Sequence, residues 1–552
     1  MVVNAQRQRG RLRRIIGCGA LGLSLFTGVT AAPGGGSLEA GVTVDPSADS
    51  LGRTYGGAIS ADGRYVTLSS DAPDLVPGQA DTNRLLDSFL HDRTSGITTL
   101  VSHTAGSPNT ASNGGGLSFG TGSFAGLLSA DGRYDVFLSA STDLVPGMVD
   151  GNQDADAFLY DRLTGQTLLV SHADGQPTMA ANGPTVNSPF SADGNFIAFT
   201  STATNLVPGQ IDTNLVPGAF QSGYDAFLYE RASGTTTLIS RQSGSAATTG
   251  NGGTLVNGIS ADGEFVLLES MGTDLVPGLV DTNNARDIFV YQRSSGTFTL
   301  VSRANGSPHQ TANGGSGGSQ MSADGRFIAF QSRGTNLIPK QAQNGTNFNE
   351  FLFDRVTGEM RLVSHTRSSA RTAAGVAQHT FSADGRYIAF ASASPILVPG
   401  QVDKNGALDL FLYDRKTGAT SLITHTQKSP TTTLADSSIG GLAISGDGRY
   451  VVFNSTAVDL VPHQSDTPGT SDVFIFDRLH KSLALVSHGR DSLTTAANGV
   501  SSNFQISSDG SAILFTSLAT DLSEDPIASG GIENAFVYDV SSGSVELVSR
   551  RP

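Results

Sequence analysis

Gln378-His379-Thr380-Phe381-Ser382-Ala383-Asp384-Gly385-Arg386-Tyr387-Ile388-Ala389-Phe390-Ala391-Ser392 reads as two short strands joined by an Asp-Gly turn. A loop follows, Ile396-Leu397-Val398-Pro399-Gly400-Gln401-Val402-Asp403-Lys404-Asn405. A second pair comes next: Asp409-Leu410-Phe411-Leu412-Tyr413-Asp414, the turn Arg415-Lys416-Thr417-Gly418, and Ala419-Thr420-Ser421-Leu422-Ile423-Thr424. β-Branched and aromatic residues dominate all four segments, as strands require. The stretch is a four-stranded antiparallel unit.

The same unit recurs along the chain. Its turn aspartate stands at Asp62, Asp131, Asp193, Asp262, Asp324, Asp384, Asp447 and Asp509, spaced 69, 62, 69, 62, 60, 63 and 62 residues apart. These eight units account for nearly all of the 552 residues, so the chain is one repeat domain. Four-stranded units repeated radially make a β-propeller. A solenoid would need atypical end units, and neither end unit looks like a cap. No linker between units four and five divides the chain into two rings. The predicted fold is all-β: an eight-bladed β-propeller of four-stranded antiparallel blades over residues 41–552. A signal peptide (1–31) and a flexible linker (32–40) precede it. The 67 glycines and modest aromatic content agree with a turn-rich β protein.

Ser-Ala-Asp-Gly-Arg-Tyr followed by an apolar strand, then Asp-x-Phe-Leu-Tyr-Asp-Arg-x-Thr-Gly and Thr-Thr-Leu-Val-Ser, resembles the TolB-like (WD-repeat-like) propeller repeats of bacterial secreted proteins. The resemblance covers about residues 51–550. It implies the propeller fold and an exported protein that acts by protein–protein contact.

The first thirty residues are an address. Arg7, Arg9, Arg11, Arg13 and Arg14 precede an apolar run from Ile15, and Val29-Thr30-Ala31 offers small residues for cleavage. The expected location is therefore periplasmic or extracellular. Cys18 is the only cysteine and lies inside this leader, so a processed chain has no disulfide to stabilise it. No later stretch has the eighteen uninterrupted apolar residues of a membrane span. A formal net charge of −15 argues against nucleic-acid binding.

If the strands are lettered A to D from the axis outward, antiparallel pairing puts the tight A–B and C–D turns on one face. The long B–C and D–A loops share the other, which is where a partner is expected to dock. The B–C loops carry Asp-x-Asn-x-x-x-Asp: Asp81, Asn83 and Asp87; Asp281, Asn283 and Asp287; Asp403, Asn405 and Asp409. The second unit has Asp150, Asn152, Asp154 and Asp156. Hard cations such as Ca²⁺ want several loop oxygens of this kind, which makes these residues calcium candidates. The competing reading is Asx-turn capping of the loop's own backbone, with no cofactor. A His or Arg follows strand D in every unit (His103, His172, Arg241, Arg303, His365, His425, His488, Arg550). Counting back through the C–D hairpin pairs it with Asp87, Asp156, Asp225, Asp287, Glu350, Asp409, Asp472 and Asn534.

Catalysis should show in the innermost strands. The segments before the Asp-Gly turns hold no Asp, Glu, Lys or Arg, and His379 is the one titratable group near neutrality expected to face the axis. There is no Gly-x-Ser-x-Gly, no His-Glu-x-x-His and no phosphate loop. The reading favoured by sequence is a monomeric, exported, non-catalytic protein-binding or scaffolding module whose protein or peptide partner docks on the long-loop face. The alternatives are a secreted hydrolase or lyase with loop-borne catalytic residues, and a calcium-dependent adhesion module.

Overall fold

Eight four-stranded antiparallel sheets succeed one another, and in each the order of strands follows the sequence. The structure, a computed structural model, describes residues 52–551 apart from 115, 118–127, 215–222, 343–346, 427–428, 434–438, 526 and 528–530. The signal peptide, the linker and Gly41-Val42-Thr43-Val44 lie outside the described residues. Blade 6 is representative: Gln378–Phe381, Tyr387–Ser392, Asp409–Asp414 and Ala419–Leu422. The eight-bladed ring expected from the repeats is what forms, with no helix among the described residues. One extra two-stranded hairpin, His365–Thr366 with Ser369–Ala373, decorates the D–A loop of blade 5.

Each blade is covered on both faces by its neighbours, which explains why strand B does not alternate apolar and polar residues. Tyr387–Ser392 is buried along its whole length. Tyr387, Ala389 and Leu412 of blade 6 pack with Leu442, Val451 and Phe453 of blade 7, and the same arrangement joins the other blades. Within a blade, facing phenylalanines on strands B and C stack, as in Phe390–Phe411 at 5.6 Å and Phe453–Phe474 at 5.7 Å.

Arginines hold the turn face together. The Arg after the Asp-Gly turn grips the aspartate ending strand C with two parallel hydrogen bonds: Arg64–Asp92, Arg133–Asp161, Arg326–Asp354 and Arg386–Asp414. The next residue, also Arg in most blades, reaches back over the aromatic that opens strand B of the preceding blade. Arg162 lies 4.2 Å from the Tyr65 ring centroid and Arg478 4.1 Å from that of Tyr387.

The ring closes without strand exchange among the described residues, since all four strands of blades 1 and 8 come from their own units. Val66, Leu68 and Leu75 pack with Leu514, Val537 and Val548 across the seam. The Thr54 amide donates to the Glu533 carbonyl at 2.9 Å. Ala512 stands where other blades have an aromatic, so Arg93 pairs with Glu546 at 3.3 Å instead of stacking.

Candidate active site

The loop face is tied down before any chemistry is considered. In each of blades 1 to 7 the B–C loop forms a parallel bridge with the D–A loop, for example Ala80 with Thr110 and Val280 with Gln310. Asx turns shape the B–C loops. Asp81 accepts from the amides of Asn83 (3.0 Å) and Arg84 (2.9 Å), and Asn83 accepts from Leu85 at 2.7 Å. Asp150 and Asn152 repeat this, Asn152 accepting from Asp154. Asp281 with Asn283 and Asp403 with Asn405 do likewise. The residue that must take positive φ follows each Asn: Arg84, Gln153, Asn284 and Gly406. The Asn side chains are therefore backbone braces, as the capping alternative expects.

The cross-strand pairing expected for the strand C acids is corrected by one residue. Asp87 accepts from the Ser102 hydroxyl at 2.8 Å, not from His103, and Ser171, Ser240 and Ser302 serve Asp156, Asp225 and Asp287 in the same way. Shifting by one residue sends a side chain to the opposite face of a strand. His103 instead donates to the Thr104 carbonyl at 3.0 Å and sets its ring edge on Tyr160 of the next blade. In blade 5 the residue equivalent to Asp87 is Asn349, which pairs with Ser332, and Glu350 points elsewhere. Burial, the dominant cause, pushes Asp87, Asp156, Asp287, Asp409 and Asp472 up to about 7 and Asp225 to about 8.

His379 does not face the axis. Its side chain is buried between blades 5 and 6 with Nδ1 3.0 Å from the Glu350 carboxylate, which is itself fully buried. The acids that do approach the innermost strands come from strands and loops farther out. Glu269, the fifth residue of Phe265–Ser270, is the only acid at its position in the eight blades; Ser69, Leu138, Thr200, Gln331, Ala391, Asn454 and Thr516 occupy the others. Bulges in the innermost strands of blades 4 and 5 turn Asn257 and Ser319 toward it. Asn257 donates to its carboxylate, and the Ser319 amide does so at 3.2 Å. Arg286, from the B–C loop, stands 4.0 Å away and is partly exposed. Burial nevertheless dominates and raises Glu269, against the opposing effects of the Ser319 amide and Arg286.

A second charged group lies at the seam of blades 8 and 1, four blades from the first and thus across the ring from it. Arg53 pairs with Asp71 at 3.4 Å, and Tyr55, raised chiefly by burial and then by the Glu533 charge, stands beside both. Glu533 immediately precedes strand C of blade 8, as Arg286 does in blade 4. The inner end of the loop face thus carries a buried carboxyl and two arginines from outside strand A, with Tyr55 from strand A of blade 1 itself.

No family model and no curated protein matches the sequence. Solved structures do. The dipeptidyl peptidase 4 of Porphyromonas gingivalis is similar at 12% identity and a TM-score of 0.49, over 89% of this chain and 58% of that one. An oligogalacturonate lyase in complex with manganese is similar at 12% identity and 0.41, over 73% and 87%. TolB from Acinetobacter baumannii follows at 14% and 0.30, over 76% and 82%. The chain spans about half the length of the peptidases it is similar to. The expectation of a non-catalytic binding or scaffolding module is corrected on the structure's own ground. Its premise, that no carboxylate reaches the innermost strands, fails at Glu269.

Proposed function

We propose that the chain is an exported hydrolase or lyase of TolB-like propeller fold, acting at the inner end of its long-loop face. The observation that carries this reading is the environment of Glu269. Its carboxyl is buried against the innermost strands, is raised by that burial, and has a partly exposed arginine beside it. A raised carboxyl is suited to exchange protons above the ordinary carboxylate range, and perturbed groups of this kind concentrate at working sites. Arg286 and Arg53 supply positive charge for an anionic group on the substrate, and Tyr55 supplies a second proton-bearing group on the far side. The arginine-rich leader supports export.

The test is a panel of chromogenic peptides, esters and anionic oligosaccharides offered to the purified chain. Turnover that disappears in Glu269→Gln while the melting temperature holds supports the reading. Absence of turnover across the panel, or full activity in the variant, overturns it.

A further inference from the structure

In blades 1 to 3 the loop before strand C brings together two carboxylates that each have an oxygen with nothing to hold. Asp81 commits Oδ1 to the amides of Asn83 and Arg84, and Asp87 commits Oδ1 to Ser102, while Oδ2 of each is buried without a hydrogen-bond partner. Asp150 with Asp156 repeats the arrangement, and so does Asp212 with Asp225, where the Asn214 amide adds a bond to Asp225 Oδ1 at 3.1 Å and Oδ2 still has no partner. Asp87, Asp156 and Asp225 are each 1% exposed. In blade 3 one residue spans the two acids: Asn214 donates its backbone amide to Asp212 Oδ1 at 3.0 Å and its side-chain amide to Asp225 Oδ1 at 3.1 Å. Among the described residues no lysine or arginine forms an ion pair with any of the six.

Other blades show what a satisfied version looks like. In blade 4 the Asn283 amide lies 3.4 and 3.3 Å from the two oxygens of Asp287, and the Thr311 hydroxyl donates to Asp281 at 3.2 Å. In blade 7 only the first acid is satisfied: the Gln464 amide donates to Asp466 Oδ2 at 3.2 Å, while Oδ2 of Asp472 stays buried without a partner. The Asn283 amide also donates to the Ala312 carbonyl at 2.8 Å; in blade 1 the Asn83 amide donates to the equivalent Ser112 carbonyl without reaching Asp87, whose Oδ2 is left without a hydrogen bond. Paired buried carboxylates with bare oxygens are costly unless something positive lies between them.

We propose that the pairs Asp81–Asp87, Asp150–Asp156 and Asp212–Asp225 each bind one calcium ion, fastening the B–C loops of blades 1 to 3. All-oxygen ligation by carboxylates suits a hard divalent cation. Calcium tolerates irregular geometry and completes its shell with water and carbonyl oxygens, whereas magnesium demands a near-ideal octahedron. The calcium expectation from sequence covered blades 1, 2, 4 and 6. The hydrogen bonding favours blades 1 and 2, adds blade 3 and removes blades 4 and 6, where neither acid has a buried oxygen without a partner. This inference is independent of the catalytic reading, since none of the six residues belongs to the Glu269 site.

The experiment is calcium binding by equilibrium dialysis of chelator-stripped full chain, with thermal melts in calcium, magnesium and chelator at matched ionic strength. The expected result is three ions per chain and a melting temperature that rises with the logarithm of calcium concentration but not with magnesium. Asp87→Asn should lower the count to two, and Asp287→Asn should leave it at three. Asp81→Asn, on the more exposed side of the same pair, should also give two, which keeps the test valid if Asp87→Asn fails to fold. Equal melts with no retained calcium, or an equal loss in Asp287→Asn, would overturn the proposal.

Discussion

Replacing His91 by tyrosine should make the ring more tolerant of acid. In the other blades the position of His91 in strand C holds an aromatic: Tyr160, Tyr229, Tyr291, Phe353, Tyr413, Phe476 and Tyr538. Blade 1 alone has an imidazole there, completely buried, with Nδ1 2.9 Å from the Thr98 hydroxyl and Nε2 without a partner. Burial, and then the charge of Arg550 from blade 8, lower its pKa to about 4. An unfolded histidine titrates near 6.5, so between these values the unfolded chain holds a proton that the folded chain refuses. Stability contributed by neutral His91 is complete above the unfolded pKa and is lost as pH falls toward about 4. The gap corresponds to about 3 kcal/mol, most of it spent by pH ~4.5. The burial-raised aspartates work in the opposite direction, so the difference between the two chains carries the test. Urea unfolding at pH ~7.5 and ~4.5 should show His91→Tyr gaining about 2–3 kcal/mol on the natural chain at the lower pH. The substitution rebuilds the Arg241–Tyr291 contact of blades 3 and 4, with Arg550 as the arginine. A stability gap that does not change with pH would refute the reasoning.

Asp354 is held at about 2, chiefly by its paired hydrogen bonds from Arg326. Carboxyl NMR should find it titrating there and moving up toward the ordinary aspartate range in Arg326→Gln; the stability it contributes disappears only as pH falls through about 2. Gly132 takes φ +67° in the A–B turn, and a Cβ there would lie 2.2 Å from the Tyr65 ring, whereas Gly147 at φ +70° meets nothing within 4 Å. Thermal denaturation should therefore cost Gly132→Ala about 1–3 kcal/mol more than Gly147→Ala. Arg93→Ala removes the ion pair with Glu546 at the seam, and should speed proteolytic nicking of blade 1 more than Arg162→Ala speeds that of blade 2.

The fold was legible because eight copies of one pattern state it, and turn chemistry such as Ala-Asp-Gly-Arg marks each hairpin. Register was not. Whether Asp87 meets Ser102 or His103 turns on a single residue, and that choice depends on how strand D leaves the hairpin. The Arg326–Asp354 brace could have been found, because the same separation links Arg and Asp in five units, but both residues were absorbed into turn motifs. Glu269 was hidden for a different reason. It lies on a strand expected to be core, and only the bulges at Asn257 and Ser319 bring the innermost backbone to it. His379 looked axial because strand A looked axial, yet its ring turns into the interface, where Glu350 waits.

The pH dependence of kcat/KM on the best substrate of the panel tests the central claim most directly. The account predicts an inflection above the ordinary carboxylate range, set by the buried Glu269, with no inflection and little residual turnover in Glu269→Gln. An inflection that persists unchanged in Glu269→Gln would contradict it.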